Sequence, residues 1–429
     1  QQPKWWDVEC DNLKTDKYRA LRCFHRSSDQ RDLLNYFDIK QQFKEMCKMK
    51  REALDRQTVA AISDLNKRKD VRQFWKSLNQ LLRTKRNEVS GISADEWFTY
   101  FKNIFTHTNI LGAQDNTDTL TNSLFSYSNA ESVSDYNTLI SKLEIVAALK
   151  GMKRNTVSGS DGIGPNFYAK ESSSLVDFLF LLFNCIIETA EYPKLWQQSL
   201  IFPLFKKGSV ADPNNYRAIS LINSDAKIFA TIIKNRLSEW VDENKVMPEC
   251  QAGFRKGYST MDNIFVLDAV ITDYLSKRKG RFYVLFVDFA KAFDTVEREK
   301  LFQILRELNL DTHLLRIIQM MYESIKSSIR VDSNRLEGEI TDYFECPTGV
   351  RQGCVLSPLL FTLFLTKLVE LLDQSDTHDI ELITNGVCIK ALMYADDVAI
   401  LSDSISDMQR KINILKTFCE NWGMRVNLD

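Results

Sequence analysis

This sequence lacks the cysteine spacing of a zinc site. Its nine cysteines form no CxxC pair, and with only four histidines they make no Cys/His cluster, which excludes a structural zinc module. Several of the thiols lie in apolar runs, as buried cysteines do, and a reduced intracellular compartment is the expectation. Glycine and proline are sparse, 15 and 8 in 429 residues, in a chain that is 44% hydrophobic and 26% charged. That balance excludes a fibre and a disordered polymer. No apolar run reads as a membrane span. Residues 175–187 are too few and include Asp177, while residues 356–372 carry Pro358, Lys367 and Glu370. There is no signal peptide pattern and no internal repeat. A net charge of −1 removes any global positive field as an argument for a nucleic-acid partner.

What is present is unevenly placed. Residues 1–90 hold 21 lysines and arginines against 13 acids, leaving 35 against 44 for the rest. A solvated helical face and a nucleic-acid contact both account for that basic start. Apolar positions there recur at threes and fours (Leu33, Tyr36, Phe37, Phe43, Met46), predicting one or two amphipathic helices. Phe74-Trp75 with Leu78, Leu81 and Leu82 marks another. Trp5, Trp6, Trp75 and Trp196 read as core. Residues 108–138 are rich in Ser, Thr, Asn and Asp and read as a surface loop. The helical pattern resumes near 140. Residues 281–288 (RFYVLFVD) predict a buried strand, 297–308 a helix, and 355–372 a long apolar helix with Pro358 in its first turn. Two short strands, 388–393 and 398–401, flank Tyr394-Ala395-Asp396-Asp397, and 405–422 is helical again. Strands mixed with helices and without a βαβ rhythm predict an α+β fold, one antiparallel sheet backed by helices.

The most informative residues are acids at the ends of apolar strands. Asp288 closes one such run, and Asp396 and Asp397 sit where a hairpin turns between two others. A carboxylate beside buried strands is costly unless something neutralises it. With oxygen ligands only, the neutralising group is Mg²⁺ or Mn²⁺, and a pair of such ions clamps the attacking and leaving oxygens of a phosphoryl displacement. An Asp-Asp turn and a strand-end Asp are ordinary features when taken singly, so their surroundings must decide.

Those surroundings carry a resemblance. FVDFAKAFDTV (286–296) and MYADDVAIL (393–401) resemble the two metal-binding motifs of reverse transcriptases, and TGVRQGCVLSPLLFTLFL (348–365) resembles the nucleotide-contact motif between them. Upstream, SGSDGIGP (158–165), FPLFKKGSVADPNNYRAISL (202–221) and QAGFRKGYST (251–260) resemble the fingers motifs of the same group. Their order and spacing are similar to the polymerases of non-LTR retrotransposons, the LINE-like elements. The opening KWWDVEC with its basic helices is similar to the stretch joining endonuclease to polymerase in such elements.

The resemblance implies a right-hand polymerase with fingers and palm. Residues 1–107 would be a basic, mostly helical linker region, 108–138 a polar loop, 139–280 the fingers and 281–429 the palm, truncated before the thumb. It implies that Asp288 and Asp396 ligate two Mg²⁺ ions, with Mn²⁺ as substitute, that the Phe289 carbonyl adds an oxygen, and that Asp397 sits in the outer ligand shell or tunes the site. Tyr394 would lie against the primer end. Phe293 would be the steric gate against a ribose 2′-hydroxyl. Arg217 and Lys206 or Lys207 would reach the incoming triphosphate, a solvated Lys-Lys pair being the alternative; Ala218 stands where the family usually has proline. Gln352 would bond the sugar or base edge, and Gly353 would let the backbone approach the nucleotide. Arg351 either meets template phosphate or is exposed without contact. Gly159, Asp161 and Gly162 read either as a template-gripping loop or as a plain turn. Asp294, followed by Glu297, reads as the N-cap of the next helix through a capping box.

The implied activity is RNA-directed DNA polymerisation, with an RNA template, a DNA primer or nicked chromosomal target, dNTPs, and no membrane. An inactive nucleic-acid-binding relic and a group II intron maturase-like protein are the alternatives. The chain reads as a fragment lacking the lysine of the next motif and a thumb, so weak processive activity is expected of it alone. Lifestyle alone suggests the nucleus and a cytoplasmic ribonucleoprotein.

Overall fold

A computed structural model describes residues 6–27, 29–67, 91–106, 138–154, 156–168, 172–277, 281–331, 339–378, 380–382 and 387–428. The chain divides into two units, residues 1–89 and 90–429. In the first, α1 (Val8–Ser27) and α2 (Gln30–Lys67) fold back on each other. Trp6 meets Phe43 edge-on at 5.9 Å, Cys10 is fully buried, and Lys50 is bonded to Asp7 and Glu9. The amphipathic spacing is thus realised as two helices, although Leu34 and Phe37 remain exposed. The segment around Phe74-Trp75 and the polar loop at 108–138 lie outside the described residues, apart from Thr138.

The second unit begins with α3 (Ala94–Thr106), opened by a reciprocal cap between Ser93 and Glu96. It buries Trp97, Phe101 and Phe105 in the same core as the polymerase-like motifs. The boundary therefore falls near residue 89 rather than after 107: aromatic residues at helical spacing tie α3 to the larger unit. Next come α4 (Lys142–Gly151), with a capping box between Ser141 and Glu144, then α5 (Ser173–Thr189) and the single turn α6 (Lys194–Gln197). Arg236, nearly buried, ties Glu144 to the carbonyls of Thr138 and Leu139.

Strands β1 (Gln198–Phe205) and β2 (Tyr216–Leu221) form an antiparallel hairpin, Phe205 opposite Tyr216. After α7 (Ser224–Glu243) and α8 (Thr260–Lys277) come β3 (Tyr283–Val287), α9 (Ala292–Thr295), α10 (Arg298–Glu307), α11 (Thr312–Tyr322) and β4 (Lys326–Val331). Two short strands, β5 (Glu339–Ile340) and β6 (Phe344–Glu345), both pair with β4. The long α12 (Ser357–Asp373) carries Pro358 in its first turn as expected, and its Leu360, Phe361, Phe364 and Leu368 are fully buried. The chain continues through β7 (Ile380–Leu382), β8 (Val387–Ile389), β9 (Ala391–Tyr394), β10 (Asp397–Ser402) and α13 (Ile405–Trp422). Among the described residues no helix is long and apolar enough to cross a membrane.

The fold is α+β. The expected antiparallel sheet is present as β3-β10-β9. The sequence reading did not anticipate a second sheet, in which β4 runs parallel to β1 and a buried Ser199–Ser327 hydroxyl pair joins them at 2.9 Å.

Candidate active site

The register of the three-stranded sheet brings the expected acids to one end. Val398 of β10 lies opposite Val287 of β3, so Asp397 and Asp288 leave adjacent strands side by side. Asp397 also pairs with Tyr394, which makes Ala395-Asp396 a two-residue turn. Ala395 adopts a left-handed φ of 58°, unusual for a residue with a Cβ. Asp288 and Asp397 are exposed and Asp396 is half-buried, so all three face the open end of the sheet. The Asp397 carboxyl is pushed above its ordinary value by partial desolvation, then by the charges of Asp396 and Asp288, with Lys206 acting in the opposite sense. Two neighbouring acids acting on a third make a site that gains from a cation.

A further strand-like segment flanks Asp288. Phe289 bridges Val426, Ala290 N donates to Arg425 O at 2.8 Å, and Asn427 N donates to Asp288 O at 2.7 Å. In that antiparallel pattern the carbonyl of Phe289 points away from Val426. The Asn427 side chain also donates to the Asp288 carboxylate at 3.1 Å. Sequence reasoning gave Asn427 no role. No local pattern announces its pairing with a residue 139 positions earlier.

Divalent cations fit this donor set. Among the described residues no three acidic, His or Cys side chains already form a metal cage. Mg²⁺ needs none, since it binds through one or two carboxylates and completes its shell with substrate phosphates and water.

The other expected residues are placed as follows. Lys206 and Lys207 are exposed at the end of β1, and Lys206 is the cation whose field reaches Asp397. Arg217 is exposed on β2, opposite Leu204. Phe293 is half-buried and stacks on Phe361, ring centres 4.7 Å apart. Gly353, at φ 115°, presses against β2, where a Cβ would lie 2.6 Å from Ser220 O, and Ser220 N donates to Gln352 O. Tyr394 is half-buried at the mouth of the hairpin. Gly159 to Gly162 forms a turn docked on Asn223, where a Cβ on Gly159 would meet Asn223 Oδ1 at 2.2 Å. Asp161 accepts from Ile163 N within that loop.

Two expectations need correction. Arg351 is neither exposed nor free for template: it is 9% exposed, and its guanidinium donates to Trp196 O at 2.9 Å and Met321 O at 3.3 Å. Asp294 does not cap α10, which is preceded by Glu297 without a side-chain cap. Asp294 is instead buried within α9, and burial lifts its carboxyl to about 7. Gln352 donates to both its oxygens, at 3.0 and 2.9 Å. The Gln352 amide nitrogen is therefore already committed within the protein.

Sequence reasoning also left out α3. Its Tyr100 donates to Asn214 Oδ1 at 3.3 Å, and the Lys291 ammonium lies 4.8 Å from the Tyr100 ring. Phe105 O accepts from the Thr348 hydroxyl at 2.8 Å.

Residues 205–429 match the family described as reverse transcriptase (RNA-dependent DNA polymerase). Among similar proteins, the probable RNA-directed DNA polymerase from transposon BS of Drosophila melanogaster is 27% identical over 293 residues, 66% of this chain and 31% of that protein. The RNA-directed DNA polymerase from mobile element jockey of the same organism is 28% identical over 59% of this chain and 27% of its own length. The type-1 retrotransposable element R2 Pol polyprotein of Nasonia vitripennis is 24% identical over 64% and 25% respectively. The chain thus spans between a quarter and a third of these relatives. A telomerase structure from Candida albicans aligns with 58% of this chain and 46% of its own, at 15% identity and a TM-score of 0.38.

Proposed function

Because the chain belongs to the reverse transcriptase family, we propose that it is the polymerase segment of a non-LTR retrotransposon product, adding dNTPs to a primer 3′-hydroxyl on an RNA template. The observation that carries this reading is the β3–β10 register, which sets Asp288 beside Asp397 and the Asp396 turn at one open sheet end.

In this reading Asp288 and Asp396, with the Phe289 carbonyl, hold two Mg²⁺ ions, or Mn²⁺ in their place. When bound, they lower the pKa of the primer hydroxyl and neutralise triphosphate charge. The residues of the chain do the rest. Lys206, Lys207 and Arg217 grip the triphosphate from the β1–β2 hairpin. The Phe293 ring, fixed by its stack on Phe361, crowds a ribose 2′-hydroxyl. The nucleotide contact at Gln352 falls to its amide oxygen and to the open backbone at Gly353, since its nitrogen is held by Asp294. Tyr394 backs the primer end, and the Gly159–Asp161–Gly162 turn borders the template. The partners are an RNA template and a DNA primer or nicked chromosomal target. The full product would work in the nucleus, reached from a cytoplasmic ribonucleoprotein.

Primer extension on an RNA template with Mg²⁺ tests the reading. Wild-type chain should extend, and Asp288→Ala should lose at least about a thousandfold, the several-kcal/mol scale of metal-based charge stabilisation. Equal signals from the two proteins would favour a nucleic-acid-binding relic.

A further inference from the structure

The loop at residues 250–253 is buried against the turn that carries Asp396. Met393 N donates to Cys250 O at 2.7 Å, and Ala252 N donates to Met393 O at 2.9 Å. Asn263 Nδ2, from α8, donates to the same carbonyl at 3.0 Å. At the centre of this contact lies Gln251, 1% exposed. Its Oε1 accepts from Ala395 N at 3.0 Å and from Gly253 N at 2.8 Å. Its Nε2 donates to Ala395 O at 3.4 Å. Two N–H groups converging on one atom fix the amide orientation.

Ala395 is the residue that needs such a grip. Its left-handed backbone is one that alanine seldom adopts and that persists only where the surroundings hold it. Gly253 supplies the room, for a Cβ there would sit 2.2 Å from Ala395 N. Shape from Gly253 and hydrogen bonds from Gln251 therefore act on one peptide, reached across 144 residues of chain.

We propose that Gln251 is the positioning residue for Asp396: its amide clasps Ala395 and so sets the direction in which the next carboxylate leaves the turn. The inference rests on the polymerase reading for the meaning of Asp396. Gln251 touches no substrate. It acts as the outer groups of metal sites do, by orienting a ligand, and losing such a group commonly costs 10–100-fold in metal affinity or activity.

The test uses the full chain with Gln251→Leu, which removes all three polar contacts, and Gln251→Asn, too short to reach Ala395. Three quantities are read: hydrogen exchange at residues 391–398, Mn²⁺ binding by electron paramagnetic resonance without nucleic acid, and the Mg²⁺ concentration at half-maximal primer extension. Both variants should exchange faster at 391–398 while 283–287 keeps its protection. Their Mn²⁺ dissociation constant and Mg²⁺ midpoint should rise about 10–100-fold. A folded variant with wild-type metal dependence overturns the proposal, as does a drop in melting temperature with no change in metal requirement. If Gln251→Leu does not fold, Gln251→Asn decides by the same three readings. A wild-type chain that never extends a primer defeats the polymerase reading. An active wild type beside variants of unaltered metal dependence defeats only the role of Gln251.

Discussion

The Gln352 amide nitrogen is shared by both carboxylate oxygens of Asp294, at 3.0 and 2.9 Å, joining the strand-end motif of Asp288 to the loop before α12. Asp294 is buried, and desolvation lifts its carboxyl to about 7 despite that bond and nearby Lys291. An acid raised on folding binds its proton more tightly in the native state than in the unfolded chain. Its contribution is thus complete below the unfolded value of 3.8 and is lost as pH rises through about 7. Denaturant midpoints from pH 5 to 8 should fall with rising pH in wild type, and Asp294→Asn should lack that part of the slope. A wild-type stability that rises with pH across this window, with no difference in Asp294→Asn, would contradict the assignment.

Phe293 stands over Phe361 with rings nearly parallel, 20° apart. In the proposed reading, Phe293→Val would remove the edge that crowds a 2′-hydroxyl. Ribonucleotide incorporation relative to deoxyribonucleotide should rise by roughly 10- to 200-fold, the scale of small steric differences in a pocket. Competitive single-nucleotide extension measures the ratio, and an unchanged ratio would make the ring ordinary core.

Arg217 projects from β2 into solvent. In its proposed role as a bidentate phosphate ligand it should contribute to dNTP binding, so Arg217→Ala should raise the dNTP KM by on the order of tenfold or more. Arg217→Lys should recover only part of this, since an ammonium lacks the planar fork. An unaltered KM in Arg217→Ala would remove it from the triphosphate site.

Arg351 should behave as a scaffold residue. Arg351→Ala strands two buried carbonyls, Trp196 O and Met321 O, at about 1–3 kcal/mol for each unsatisfied group. Chemical denaturation should show the loss. The salt dependence of template binding should keep its slope, whereas removing a true phosphate contact would lower that slope by about one.

The segment from residue 281 onward was the legible part of the chain. An apolar run ending in an acid, two more runs around a turn, and a proline at a helix start are local signals, and β3, β9, β10, α12 and α13 arise where those signals predict. Asp294 shows where local reading fails. Asp-Thr-Val-Glu satisfies a capping pattern counted over four residues, yet the partner that decides its state, Gln352, lies 58 positions away. Arg351 misled in the same way, because carbonyls of α6 and α11 supply its partners. The parallel β1–β4 pairing joins residues 128 apart and leaves no periodicity in either strand. Gln251 stood inside a recognised motif, but nothing in QAGFRKGYST announces that its side chain belongs to the turn before Asp396.

The pairing of residues 425–427 with 288–290 has a bearing on synthesis. Asp288 leaves the ribosome long before Asn427, and until Asn427 emerges the carbonyl of that aspartate has no partner on this side. The reactive end of the sheet is thus completed only once residue 427 has been made. A product released prematurely, short of residue 425, would carry every acid of the site yet lack the segment that closes over the first of them.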